Sequence, residues 1–533
     1  MVVTSDELAS QVGVDILRHG GNAVDAAVAI GFALAVVYPT AGNLGGGGFM
    51  ALHLPDGTAT TIDFREKAPL AATRNMYLDA DGNVIDGLSL NGYLASGVPG
   101  TVAGLTLAHK CFGSMKLKTV IDPAIRLAEN GFPVSYRFAH DMQRLRDACD
   151  AYPATRKVFR KPDGQPYIEG DIFRQPDLAN TLQLIAKEGA DAFYKGRIAW
   201  LIASDMKKNG GLITRDDLER YSPVERKPVI GMYHGYEIIS MPPPSSGGIA
   251  IIQALNVLEN FDLHKMQYGS SEYVHVLTEV LKYVYHDRAT YLGDPDFNKI
   301  PIDALISNVY AQALAGKIDT LKSTPSDSIM PPSPHFYEGN HTTHYSVIDN
   351  AGMTVAVTTT INTGYGSKVV IRDAGFLMNN EMDDFTSKPG APNYFGLIQS
   401  DVNAIQPEKR MLSSMSPTII CKDGQVVMTL GSMGGSRIIT AVMQIILNVL
   451  ENGMNIQEAV DAPRIHHQWQ PNVLSCERFA LAPDVRIRLE QMGHAIEIFP
   501  CYDSEAHAIF VDHEHGVYLG AADSRFTGSA LGY

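Results

Sequence analysis

The 533-residue chain has few cysteines, no long apolar run and no cluster of basic residues. Its five cysteines, Cys111, Cys149, Cys421, Cys476 and Cys501, are scattered, odd in number and never spaced as CxxC. Neither a disulfide framework nor a zinc site is indicated, and free thiols are expected. The longest apolar stretches, residues 26–38 and 438–450, fall short of the roughly 20 residues that cross a bilayer. No basic stretch precedes the first, so it does not read as a signal peptide. The location is therefore cytoplasmic as the chain is written, or exported if a leader has been removed. A formal charge of −15 without any Lys/Arg run excludes a phosphate backbone as partner, so no nucleic acid is expected.

What is present fits a folded protein. Apolar residues make up 45% and charged residues 19%, a soluble globular balance, and the length allows one large domain or two to three ordinary ones. Ser5-Asp6-Glu7 opens a helix that His19-Gly20-Gly21 closes, and Asp25 to Val37 is a second helix of small apolar residues ended by Tyr38-Pro39. Asn43-Leu44-Gly45-Gly46-Gly47-Gly48 follows. Four consecutive glycines are expected to lie outside any helix or strand interior, where backbone bends sharply or lies against something. Phe49–His53 and Ala59–Phe64 flank Pro55-Asp56-Gly57 as a hairpin.

Residues 100 to 330 read as mostly helical, with Val276, Val280 and Val284 on one face of a helix over 272–288. Three further hairpins follow, around Asp349-Asn350-Ala351-Gly352, Lys422-Asp423-Gly424 and Gly516, interleaved with helices such as 437–451. Pro242 to Gly248 is the most loop-like stretch. The pattern predicts antiparallel sheet packed by helices, a layered α/β sandwich of two sheets between helices.

One doublet stands out. Thr342-Thr343 opens a strand within Asn340-His341-Thr342-Thr343-His344-Tyr345-Ser346. Taken alone it is ordinary strand threonine. A threonine hydroxyl needs a neighbouring base to act as nucleophile, and a cut before Thr342 would free its own α-amine for that role. Nearby in the pattern lie Thr360 and Asn362, the carboxylates Glu381 and Asp384, and the serines Ser413 and Ser414. Gly434-Gly435 precede a helix, as an anion hole or simply a tight turn, and Arg65 follows a hairpin strand, as a carboxylate grip or a surface ion pair. Together they describe a site for an α-amino acid whose side-chain carbonyl is attacked: carboxylates for an ammonium, arginine and serines for a carboxylate, a nucleophile and an anion hole.

Over nearly its whole length the chain resembles the γ-glutamyltranspeptidases (γ-glutamyltransferases) of the N-terminal nucleophile hydrolase superfamily. The motifs are Gly20 to Ala27, Gly42 to Phe49, Asp63-Phe64-Arg65-Glu66, Pro242 to Gly248, Thr342 to Ser346, Leu412 to Pro417 and Gly434 to Arg437. The resemblance implies a four-layer αββα fold of mixed α/β (α+β) class. It implies self-cleavage between His341 and Thr342 into a large subunit, 1–341, and a small one, 342–533, that stay together as a heterodimer. Thr342 would then attack glutathione or another γ-glutamyl compound and pass the acyl group to water or to an amino acid or dipeptide. By the family pattern Thr360 supports the nucleophile, and Arg65, Ser413 and Ser414 take the α-carboxylate. Asn362, Glu381 and Asp384 take the α-ammonium, and Gly434 and Gly435 stabilise the oxyanion. No metal or organic cofactor is implied.

The alternative is a related self-processing amidohydrolase, a cephalosporin (glutaryl) acylase or a poly-γ-glutamate-cleaving enzyme, and the α-amino acid clamp favours the first reading. The chain departs from the family pattern at Met411 and Met433, where many members carry proline. It also has Phe395, beside Tyr394, where bacterial relatives carry a lid tyrosine.

Overall fold

The computed structural model describes residues 1–329, 342–499, 502 and 504–533. The strands that build its two main sheets are β1 (Val2–Thr4), β2 (Gly47–His53), β3 (Ala59–Asp63), β4 (Val224–Arg226), β5 (Val229–Tyr233), β6 (Tyr236–Ser240), β7 (Thr342–Ile348), β8 (Thr354–Thr360), β9 (Thr418–Lys422), β10 (Gln425–Ser432), β11 (Ala506–Asp512), β12 (Val517–Ala522) and β13 (Ser529–Leu531). The first sheet runs β13-β1-β7-β8-β2-β3-β4 and the second β12-β11-β10-β9-β6-β5. Neighbouring strands are antiparallel throughout both.

The helices covering the first sheet include α1 (Glu7–Arg18) and α2 (Ala23–Val37). The Asp6 carboxylate caps the first by accepting from the N–H groups of Leu8 and Ala9, and a capping box of Asn22 and Asp25 starts the second. Every residue of α2 is buried, which its run of Ala, Val, Ile and Leu permits. On the second sheet lie α3 (Gly247–Leu258), α4 (Ser271–Tyr291) and α5 (Arg437–Leu450). One hydrophobic cluster joins α1 and α2 to Tyr345, Val347, Val355 and Val357, and a second joins α3 to α5 with Ile238, Ile420, Met428 and Ala508. A thin third cluster between the sheets holds Val3, Ala51, Ile348, Ala356, Ile419 and Ile509. These are the four layers, helix, sheet, sheet, helix, that the sequence led one to expect.

Residues 100 to 330 are mostly helical as expected, with residues 224–240 supplying β4, β5 and β6. β5 and β6 pair with each other as a tight hairpin, while β4 pairs with β3 and β6 with β9 from distant parts of the chain. One expectation, about the glycine run, needs correcting. The run enters a strand: Gly47 and Gly48 pair with Thr360 and Thr359. The reason is close approach, which was expected. A Cβ on Gly46 would lie 2.1 Å from the Thr360 carbonyl oxygen, and one on Gly48 2.5 Å from that of Thr358.

Residues before and after position 342 share both sheets. β7 and β8 sit between β1 and β2, and β9 pairs with β6. No plane divides the two stretches.

Candidate active site

β7 and β8 form one hairpin in which Thr342 lies directly opposite Thr360. The period-two pleat puts Thr342, His344 and Ser346 on one face. That face meets the second sheet, since Ser346 Oγ lies 3.5 Å from Thr429 Oγ1 and a Cβ on Gly431 would strike the His344 ring. Thr342 is thus aimed between the sheets, at the end where they part. Its hydroxyl lies 3.4 Å from Thr360 Oγ1, which accepts the Asn362 N–H at 2.8 Å. Asn43 pins the end of β8 by donating to the Thr360 carbonyl at 2.9 Å.

Around Thr342 opens a small pocket. Its walls include Arg65, Thr360, Asn362, Glu381, Asp384, Ser413, Ser414 and Gly435, eight of the residues singled out from the sequence. Gly434 precedes Gly435 but is not among the lining residues, and His341 lies outside the described residues.

Arg65 follows β3 and is 1% exposed. Its Nη1 donates to Glu381 Oε1 and its Nη2 to Asp384 Oδ2, both at 2.5 Å, while Nε reaches the Met411 carbonyl at 3.3 Å. The surface ion pair considered for this arginine is excluded. Burial works against its charge, but Glu381, Asp384 and Glu66 more than offset that and raise its pKa. Burial raises all three carboxyls, with Arg65 opposing it in each case, and brings Glu66 to about 8. Among the described residues neither oxygen of Glu66 has a hydrogen-bond partner, and Arg65 Nη1 lies 3.6 Å from its Oε2.

The Pro242–Gly248 loop holds the serine pair. Ser413 N–H donates to the Pro244 carbonyl at 2.9 Å, and the Ser413 carbonyl accepts from Ser246 N–H at 2.8 Å and Ser246 Oγ–H at 2.6 Å. A Cβ on Gly247 would lie 2.0 Å from Ser416 Oγ, so the loop and the serine turn meet backbone to backbone. On the far wall, Gly434 (φ 132°) and Gly435 (φ 55°) turn the chain from β10 into α5. Among the described residues their N–H groups have no acceptor, which suits an oxyanion hole.

The family description Gamma-glutamyltranspeptidase matches residues 9–533. The chain belongs to the γ-glutamyltranspeptidase family. It is 50% identical over 526 residues to a glutathione hydrolase proenzyme of Escherichia coli K12, covering 98% of this chain and 90% of that protein. A glutathione hydrolase proenzyme of a Pseudomonas species is 50% identical over 493 residues, covering 92% and 86%. Among solved structures, a Bacillus halodurans cephalosporin acylase superposes with a TM-score of 0.88 at 27% identity, covering 100% of this chain and 96% of that one. A Helicobacter pylori γ-glutamyltranspeptidase chain, 52% identical, gives a TM-score of 0.60 and covers 63% of this chain and 96% of its own.

Two features of this γ-glutamyltranspeptidase-family site escaped the sequence reading. Arg288 lines the pocket from α4 and is 2% exposed. The signal was present: positions 276, 280 and 284 carry valines on the buried face, and the next position of that stripe is an arginine. The second is the contact of Phe395, itself singled out from the sequence, with Gly435: the ring packs so closely that a Cβ there would lie 2.3 Å from Cδ1. The segment over the pocket is anchored by Asn393 Nδ2 to Asp384 Oδ1 at 3.2 Å and Tyr394 N–H to Asp383 Oδ2 at 2.9 Å. Phe395 rather than Tyr394 covers the glycine turn.

Outside the pocket, His275, Glu279 and His494 place ligand-type atoms within 4.8 Å of one another. The cluster is satisfied without an ion, because Lys282 Nζ donates to Glu279 Oε1 at 2.7 Å and His275 Nδ1 bonds His494 Nε2 at 2.7 Å.

Proposed function

We propose that the chain is a self-processing γ-glutamyltransferase and glutathione hydrolase with Thr342 as nucleophile. The observation that carries the reading is the meeting of Thr342 with an arginine, two carboxylates and two serines in one pocket, in a chain 50% identical to glutathione hydrolase proenzymes. Cleavage occurs between His341 and Thr342. Thr342 Oγ attacks the preceding carbonyl, the acyl group shifts from nitrogen to oxygen, and water hydrolyses the ester. The products are residues 1–341 and 342–533, and the shared sheets keep them together as a heterodimer.

In the mature enzyme the freed α-amine of Thr342 takes the hydroxyl proton as Oγ attacks the γ-carbonyl of glutathione or a similar compound. The oxyanion is received by the Gly434 and Gly435 N–H groups, each donor contributing about 3 kcal/mol in comparable sites. Collapse expels the amine and leaves a γ-glutamyl ester on Thr342. Water, an amino acid or a dipeptide then resolves the ester. Thr360 orients Thr342. Asn362, Glu381 and Asp384 hold the substrate's α-ammonium, and Arg65, Ser413 and Ser414 its α-carboxylate. Before substrate arrives, Arg65 pairs with both carboxylates, which keeps its buried charge compensated.

The acylase reading is weaker here. The structural likeness to the cephalosporin acylase is at 27% identity. A glutaryl group also carries no ammonium, so Glu381 and Asp384 would have no partner on it.

The test is intact mass followed by turnover. Wild-type protein gives two chains that break at Thr342 and hydrolyse glutathione. Thr342→Ala stays a single chain and loses turnover by at least about 10⁴-fold, as loss of a covalent nucleophile does in comparable enzymes. Turnover retained by a pure single-chain variant removes Thr342 from the mechanism.

A further inference from the structure

We propose that Arg288 is a second cation of the substrate pocket, one that sets specificity for a carboxylate on the α-carbon by acting through the Ser413–Ser414 turn. The inference rests on the γ-glutamyl reading above and extends it to a residue that nothing so far assigns.

Three observations carry it. First, Arg288 is buried in the pocket wall with its guanidinium only partly used. Nε donates to Ser246 Oγ at 3.0 Å and Nη2 to Ser414 Oγ at 3.2 Å, while Nη1 has no partner among the described residues. A buried guanidinium nitrogen left unpaired is costly unless something completes it. By contrast, Arg65 has Nε, Nη1 and Nη2 all engaged.

Second, the bonds it does make lead to the serine turn. The Ser246 hydroxyl that accepts from Nε donates onward to the Ser413 carbonyl at 2.6 Å. Ser414 Oγ accepts from a cation, so its own proton must point elsewhere and is polarised toward an anion. The same face of α4, one turn earlier, carries Tyr285, whose hydroxyl donates to the Ser436 carbonyl at 2.5 Å. One helix therefore braces both the serine turn and the loop after the glycine pair.

Third, Arg288 lines the same pocket as Thr342, Arg65, Asp384, Ser413 and Ser414, so a second guanidinium stands beside the serine pair. Asp384 is the carboxylate whose field acts on it.

The experiment uses the full-length, self-processed enzyme and the variants Arg288→Lys and Arg288→Gln, with a γ-glutamyl anilide and its α-carboxamide analogue as substrates. In Arg288→Gln, kcat/KM for the anilide falls by about 10- to 100-fold, the loss of one charge-assisted hydrogen bond, with the larger share in KM. The carboxamide loses less than about threefold on the same scale, and Arg288→Lys lies between wild type and Gln because it keeps the charge but not the fork. Equal losses on both substrates, an unchanged KM for the anilide, or failure of both variants to self-process would each make Arg288 a purely structural brace and overturn the proposal. If the wild type itself does not turn over the anilide, it is the γ-glutamyl reading that fails.

Discussion

The two ends of the β7–β8 hairpin obey different rules. At the closed end, Asp349-Asn350-Ala351-Gly352 makes a turn of the kind its residues dictate. Asp349 Oδ1 accepts the N–H groups of Ala351 and Met353 at 2.9 and 3.1 Å, and its Oδ2 accepts that of Ala23 at the start of α2. Gly352 supplies φ 82° with nothing within 4 Å of where a Cβ would stand. At the open end, Thr342 and Thr360 face each other beside a buried arginine, the buried carboxyls of Glu66 and Glu381, the half-buried Asp384 and a glycine wall with no room to spare. One end lowers the free energy of the fold. The other holds groups that the fold alone would not choose to bury, and such groups mark chemistry.

Substitutions that leave the shape intact while removing charge should separate the two ends most sharply. Asp384→Asn keeps the outline of the side chain but leaves Arg65 with only one of its two close partners. Removing one partner of a hydrogen-bonded charge pair at a binding site costs about 3–4 kcal/mol, so kcat/KM on a γ-glutamyl substrate should fall by about 10²–10³-fold. Steady-state kinetics checks this, and a loss under threefold would take Asp384 out of the ammonium clamp. Gly435→Ala comes next. Its Cβ would collide with the Phe395 ring and tilt an oxyanion donor, so kcat should drop by about 10²-fold. Adding Phe395→Ala should recover part of that loss if the clash is its cause, and a double-mutant cycle measures the coupling.

Much of this contrast was legible in the sequence, and what was not has physical reasons. The hairpins at 349–352, 422–424 and 516 and the caps of α1 and α2 depend on neighbours a few residues away, so local pattern reveals them. The strands β1, β13 and β4 are three residues each and carry no periodicity long enough to read. Glu381 and Asp384 illustrate the harder case. In a row of acidic residues they look like a solvated turn, and only the approach of Arg65 from more than 300 positions away makes them an internal clamp. The Pro242–Gly248 loop is similar, because its partner is the serine turn at 413–416. Arg288 could have been found, as the charged residue that interrupts an apolar stripe.

A smaller effect should appear with pH. Burial raises the Glu66 carboxyl to about 8, against about 4.3 in an unfolded chain. Between these values the folded state binds a proton that the unfolded state does not. The stability this group contributes is therefore complete below about pH 4.3 and is lost as pH rises toward 8. Glu66→Gln, which mimics the protonated form, should flatten that part of the stability profile, with denaturant midpoints across pH 5–8 as the measurement. A variant whose slope matches wild type would show that Glu66 is ionised in the folded protein.

The mildest change belongs at the closed end. Gly352→Ala places a side chain at φ 82°, where an L-residue is strained by roughly 1–2 kcal/mol, partly offset by the stiffer unfolded chain. No contact is made or lost, since the space around that Cβ is empty. The expected result is a net destabilisation of about 1 kcal/mol, read as a small fall in the denaturant midpoint, with self-processing and kcat/KM within about twofold of wild type. A large loss of turnover here would mean that strain at the turn travels the length of β7 and β8 to Thr342. The two ends would then form one mechanical unit, and the separation drawn between them would be wrong.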